Sequence, residues 1–368
     1  MHEECSGTHH LPRRQVIQAG LAAAAVGALG GAAAAPGSAV AAAEGTPRAI
    51  DIHAHYFPQP FLDLIGAQGK PYGVEYRAAA DGFFLGPAHL AAKFTDLSLR
   101  LADMDQRGVR MHALSLTAPM LYWAPPELSH RLARAWNDAA SAAHQAHPTR
   151  FVALATLPMG DPDRAVDELL RAAKLPGIRG VYLGTNIADR DLDDPRFTPV
   201  FARIEALKLP VFLHPLNTMD RSDRMKPYYL SNIIGNPLDT TIACAHLIFG
   251  GVLDRFPGLQ ICLPHAGGVV PMLIGRWDHG AKVRPELAHL KRPPSDYLRR
   301  FTYDTIAHSK RIMRLVIDEV GIDRIMLGSD YCFDMGYDHP VEVVDELGLG
   351  EEERQLVLHG TAAKLLGV

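Results

Sequence analysis

The stretch IDIHAHYFP (residues 50–58) ends a short apolar run with two histidines one residue apart, His53 and His55, behind the acid Asp51. On a β-strand, residues two apart face the same way, so both imidazoles can look toward one centre. Other strand-like runs end in comparable side chains: PVFLHP (210–215) carries His214, QICLPHAG (260–267) carries His265, and RIMLGSD (324–330) ends in Asp330. One such histidine alone would be an ordinary hydrogen-bonded core residue. Several polar groups at the matching ends of four strands instead suit a divalent cation held by imidazole and carboxylate. Such an ion polarises a substrate oxygen or lowers the pKa of water, which are lyase and hydrolase chemistries. One ion per chain is expected, with zinc ahead of manganese.

These residues need a scaffold that brings distant strand ends together. Apolar runs recur at AIDIHAH (49–55), HALSLTA (112–118), FVALATLP (151–158), GVYLG (180–184), PVFLHP, QICLPHAG, FTYDT (301–305) and RIMLGSD. They are almost continuously apolar, as parallel strands covered on both faces must be. Amphipathic stretches alternate with them, among them 126–147, 162–175, 195–209 and 309–321. Eight strands with intervening helices predict a (β/α)8 barrel, whose chemistry sits at the carboxyl ends of the strands. An open doubly wound sheet would place a glycine-rich phosphate turn after its first strand, where this chain has HAH. Residues 57–95 are too long for a simple loop and read as an insertion over the barrel mouth, with a small hairpin around 73–86.

The first 45 residues read as a twin-arginine signal peptide. Arg13 and Arg14 precede an uncharged Ala/Gly/Leu/Val run and small residues suited to cleavage near Ala41 to Ala43. The expected product is an exported, periplasmic or extracellular barrel spanning 48–368, with no stable membrane anchor after cleavage. The full chain has a formal net charge of -4 and its cations are scattered, so nothing points to a nucleic-acid partner. Beyond the signal, Cys244, Cys262 and Cys332 are an odd set without close spacing, so no disulfide framework is expected. His112, His246 and His279 are read as structural, and His308 as a further residue able to line the pocket.

The motifs DIHAHYFP (51–58), VFLHPLN (211–217), GGVLDRFPGLQICLPHAGGVVPMLIGRWDHG (250–280) and IMLGSDYCFDMG (325–336) resemble those of the amidohydrolase-related family. The likeness is to its aminocarboxymuconate semialdehyde decarboxylase branch and runs from about residue 50 to the C-terminus. It implies that His53, His55, His214 and Asp330 bind the metal. His265, in PHAGG, matches the neighbouring acid/base group, with Asp330 sharing in proton handling. Arg276 in LIGRWD matches an arginine that reaches a neighbouring subunit's site and holds a substrate carboxylate, which implies a homodimer. Binuclear amidohydrolases use a carboxylated lysine on strand four; GVYLGTN has none, which argues for a single metal. A second substrate arginine of the branch has no counterpart around Ala88 and His89, so the dicarboxylate substrate of that enzyme is not assigned. Tyr122 and Trp123 could form an aromatic wall for a ring or unsaturated chain. The expected reaction is non-oxidative decarboxylation of a small aromatic or unsaturated carboxylic acid. Hydrolysis of an ester, lactone or amide is the alternative, ahead of hydration or simple metal or solute binding.

Overall fold

The apolar runs pair as one parallel sheet, described here in a computed structural model that covers residues 49–74, 88–216 and 223–368. Its strands are β1 (Ala49–His55), β2 (Val109–Ser115), β3 (Phe151–Thr156), β4 (Ile178–Gly184), β5 (Val211–His214), β6 (Ile261–Leu263), β7 (Phe301–Asp304) and β8 (Ile325–Met326), hydrogen-bonded in that order. Every pairing is parallel. The barrel closes between the chain after β8 and β1: Ile52 N donates to Leu327 O at 3.0 Å, His55 N to Tyr331 O at 2.7 Å, and Tyr331 N to His53 O at 3.2 Å. β8 is thus shorter than the run 324–330 suggests. The backbone beyond Met326 swings into the turn that carries Asp330, while still bonding to β1.

The register places the chemical groups level with one another. His55 lies beside Ser115 across β1 and β2, and His214 beside Gly184 across β5 and β4. All seven residues of β1 are buried, as expected for a strand covered on both sides.

The helices form where the amphipathic stretches lie. α4 (Pro126–Ala146) starts with proline in its first turn and buries Leu128, Leu132, Trp136, Ala140 and Ala143, a stripe at helical spacing. It packs on β3, and the fully buried Trp136 donates its indole N–H to Tyr56 O at 2.9 Å. The buried Asn137 fastens the same helix to β3: its amide donates to Thr156 O at 3.0 Å and accepts from Thr156 N at 2.9 Å. α5 (Pro162–Ala172) is capped by Asp161, and α6 (Thr198–Leu207) follows a 3-10 turn at Pro195–Phe197. α10 (Lys310–Val320) is capped by Ser309 and stops at Gly321, whose φ is 88°.

The insertion after β1 is helical where it is described. α1 (Gln59–Gln68) buries Phe61, Leu62 and Ile65, and α2 (Ala88–Thr95) leads into α3 (Leu97–Gln106). Residues 75–87 of the expected hairpin, the side chains at Ala88 and His89, and the expected signal at 1–45 lie outside the described residues. Among the described residues, no helix is long and apolar enough to cross a membrane. Cys244 and Cys262 are buried thiols outside any disulfide.

Candidate metal centre

His53, His55, His214 and Asp330 converge at the carboxyl end of the barrel. Each offers one ligand atom, and these atoms lie within 4.8 Å of one another among four buried residues. His55 Nε2 is 3.0 Å and His53 Nε2 3.5 Å from Asp330 Oδ1. Donors about 2.1 Å from a tetrahedral ion stand roughly 3.4 Å apart, so these two spacings suit a divalent cation.

Outer partners fix which nitrogen faces the centre. His53 Nδ1 bonds Asp304 Oδ2 at 2.9 Å, His55 Nδ1 meets Ser115 Oγ at 3.2 Å, and His214 Nδ1 meets Pro215 O at 2.8 Å. His53 and His55 therefore have Nδ1 engaged and Nε2 turned to the centre, the usual outer support of a metal-binding imidazole, while Thr117 Oγ1 lies 3.2 Å from both ring nitrogens of His214. His53 Nε2 is buried without a hydrogen-bond partner. A buried orphan nitrogen is costly on its own, and a cation at the centre of this donor set removes that cost.

The electrostatics favour the ligating protonation state at His55, His214 and Asp330, and the protonated form at His53, whose proton a bound cation would displace. Burial, with help from the His53 charge, pushes His55 down to about 4. Burial and the neighbouring His55 and His53 likewise hold His214 well below the ordinary imidazole range. Burial also presses on His53, but the hydrogen bond to Asp304 and the charges of Asp330 and Asp304 lift it above its usual value. Burial alone would raise Asp330; the nearby His265 and the hydrogen bond with His55 outweigh it and keep the carboxyl well below the carboxylate range. Neutral imidazoles beside an ionised carboxylate are what a divalent ion binds.

Asp304, which closes β7, was not singled out in the sequence. It is fully buried, and its oxygens accept from His53 Nδ1, from His265 N at 3.0 Å, from Ala266 N at 2.8 Å and from Ile306 N at 3.0 Å. One carboxylate thus aims a ligand and anchors the PHAGG turn. The available signal was a lone acid ending an apolar strand, the same pattern that marks the ligands. Arg100 was also missed. It is buried, donates to His55 O, and lies 4.5 Å from the Tyr331 ring centroid, bracing the backbone on both sides of the site.

His265 sits beside the ligand group, outside it. Its Nε2 is 3.7 Å from Asp330 Oδ2, and its Nδ1 is buried without a partner. The turn holding it is left-handed from His265 through Gly268, and Asp330 is left-handed too, with φ 61°. Such conformations are held only where surrounding contacts demand them. Gly268 is required there, because a Cβ would collide with the Pro237 carbonyl oxygen.

Two cavities open onto this centre. The first, about 460 Å³, is lined by His214, Asp330, Thr117, Asn232, Asn236 and Phe333, among others. The second, about 480 Å³, shares Asn232, Asn236, Asp330 and Met335 with it and adds His265 and His308. His308 accordingly lines the pocket as expected. Tyr122 and Trp123 do not: the Tyr122 hydroxyl accepts from Gly184 N at 3.1 Å, and Trp123 packs near Tyr72 and donates to Met120 O. Arg276 is exposed on α9 (Val270–Val283), outside the linings of both cavities. His112 is buried against Arg100, and His246 bonds Asp193 at the surface, both structural as read.

Comparison with known proteins agrees with this geometry. A family model described as Amidohydrolase matches residues 50–368. The 2-amino-3-carboxymuconate-6-semialdehyde decarboxylase of Dictyostelium discoideum is 31% identical over 334 residues, covering 87% of this chain and 91% of the relative. The crystal structure of 5-carboxyvanillate decarboxylase from Sphingomonas paucimobilis matches with TM-score 0.78 at 31% identity, covering 87% of this chain and 99% of that one. That of 2,6-dihydroxybenzoate decarboxylase complexed with 2,6-dihydroxybenzoate matches with TM-score 0.74 at 26% identity, covering 88% and 100%. From β1 to the C-terminus, the chain belongs to the amidohydrolase family, in the branch that contains the aminocarboxymuconate semialdehyde decarboxylases.

Proposed function

We infer that this protein is a metal-dependent, non-oxidative decarboxylase of a small aromatic carboxylic acid. The observation that carries the reading is a buried set of three histidines and one aspartate with a fourth histidine, His265, beside it and outside it. A metal carrier has no use for that extra group. The relatives named above are all decarboxylases, which favours a lyase over the hydrolase alternative.

In decarboxylation the bond between the ring carbon and the carboxylate breaks, CO2 leaves, and the electron pair stays on the ring carbon until a proton replaces the lost group. A divalent cation held by His53, His55, His214 and Asp330 would supply positive charge that offsets the negative charge developing on the substrate. Asp304 keeps His53 turned toward the centre and, through the backbone N–H groups of His265 and Ala266, fixes where His265 stands. His265 and Asp330, side by side, handle the proton that replaces CO2. Burial of the group excludes bulk water, so each polar contact acts in a low dielectric. Three imidazoles and one carboxylate suit zinc, our first choice of metal over manganese.

We further propose that residues 1–45 direct export by the twin-arginine route, that 48–368 is the mature barrel, and that two copies form a homodimer. In that dimer Arg276, exposed on α9, holds the carboxylate of the substrate in the neighbouring site. Tyr122 sits with Leu216, which lines the first cavity, beside Gly184 and backs that wall from behind.

The test of the catalytic assignment is His265→Ala. CO2 release should vanish while the protein keeps one metal per chain by elemental analysis. Loss of the metal would make His265 a ligand and overturn its role.

A further inference from the structure

The two cavities that meet at Asp330 differ in character. The first is walled by Thr117, Asn232, Asn236 and Asp334 as well as His214. The second runs away from the centre between α7 (Asn236–Phe249) and α10; it shares Asn232, Asn236 and Met335 with the first, and beyond His265 and His308 it adds the apolar Leu238, Val269, Ile306, Ala307 and Ile312. Ile312 is 41% exposed at its margin, as are Ile233 at 53% and Ile234 at 43%. Apolar side chains left open beside a buried polar centre are costly unless something apolar covers them. Neither cavity has a lysine or arginine among its described lining residues. A second carboxylate buried in either would have no cation from the described part of its own chain, and an unpaired buried charge is strongly disfavoured.

We propose that the substrate is a monocarboxylic hydroxyaromatic acid with an apolar substituent, and that this substituent occupies the cavity lined by Leu238, Val269, Ile306 and Ile312. This rests on the decarboxylase reading for the fate of the carboxylate, but the recognition of the substituent is a binding property of the chain itself. The cavity shares His265 and Asp330 with the reacting centre, so an acid placed there has its ring at the cavity mouth and a side group free to enter. A volume of about 480 Å³ accommodates more than a bare ring needs, which leaves room for a chain of several carbons.

The test is calorimetric binding of 2,6-dihydroxybenzoate and its 3- and 4-n-alkyl derivatives (methyl, propyl, pentyl) to the metal-loaded, full-length protein. Along one of the two series, affinity should rise about three- to fourfold per added methylene. Ile312→Glu and Leu238→Asn, measured separately so that one misfolded variant does not decide the matter, should collapse the ratio of pentyl to parent affinity toward one. Flat or falling affinity in both series overturns the proposal, as does an unchanged ratio in both variants or an isophthalate-type diacid that binds tighter than every alkyl member. CO2 release is read in parallel. Strong alkyl preference without turnover would sink the decarboxylase reading and leave the apolar subsite standing; turnover without alkyl preference would do the reverse.

Discussion

Replacing Asp304 by asparagine changes one atom at a position where four donors meet. Oδ2 accepts from His53 Nδ1 and His265 N, and Oδ1 accepts from Ala266 N and Ile306 N. Whichever way the amide turns, its NH2 faces two former donors. If it faces Ala266 and Ile306, two buried backbone N–H groups lose their acceptor, at about 1–3 kcal/mol each. If it faces His53, Nδ1 must become the acceptor, the ring proton moves to Nε2, and that nitrogen can no longer ligate a cation. Both routes lead to a weaker centre: the variant should lose about 2–4 kcal/mol of folding stability and bind metal about 10- to 100-fold more weakly. Competition against a chromophoric chelator measures the second effect and urea unfolding of the metal-free protein the first. Wild-type metal affinity together with wild-type stability would refute the view that Asp304 organises both His53 and the PHAGG turn.

Other changes separate the ligand set from its support. His214→Ala should abolish stoichiometric metal binding with only modest loss of folding, checked by elemental analysis and circular dichroism. Gly268→Ala, which needs a left-handed φ of 64° and collides with Pro237, should cost about 2–4 kcal/mol in chemical unfolding. Trp136→Ala empties a fully buried site and strands the Tyr56 carbonyl, so about 3–5 kcal/mol should be lost. Removing the metal with a chelator should lower the unfolding temperature and stop turnover, and titrating zinc back to about a thousand times its dissociation constant should restore about 4 kcal/mol of stability. Zinc that leaves the unfolding temperature unmoved would argue against binding at a buried centre.

Much of the site could be read in the sequence because each ligand ends an apolar run. Parallel strands buried on both faces leave little room for polar residues, so His53, His55, His214 and Asp330 stand out against their neighbours. The long helices were equally plain: α4 and α10 carry their buried residues at helical spacing, α4 opening with proline in its first turn and α10 with the Ser309 cap. Asp304 was passed over although it fits the same strand-end pattern, because its role is a set of hydrogen bonds to residues far away in sequence. β8 was overextended for a related reason. The run 324–330 is apolar enough to be a strand, but Asp330 needs a left-handed backbone to turn its carboxylate toward two histidines. α1 falls in the stretch that the sequence marks only as an insertion, because prolines at its start hide the Phe61, Leu62 and Ile65 stripe. The cavity walls from Asn232 to Leu238 and at Phe333 lie after strand ends, where no periodicity marks them.

The most direct test of the account is CO2 release from the zinc-loaded protein on a panel of hydroxybenzoates and unsaturated keto acids, run beside its His265→Ala variant with equal metal content. Release from at least one aromatic acid is expected from the wild type and none from the variant. No release from any member by protein shown to hold one metal per chain, with hydrolysis of a matched ester or lactone panel instead, would contradict it.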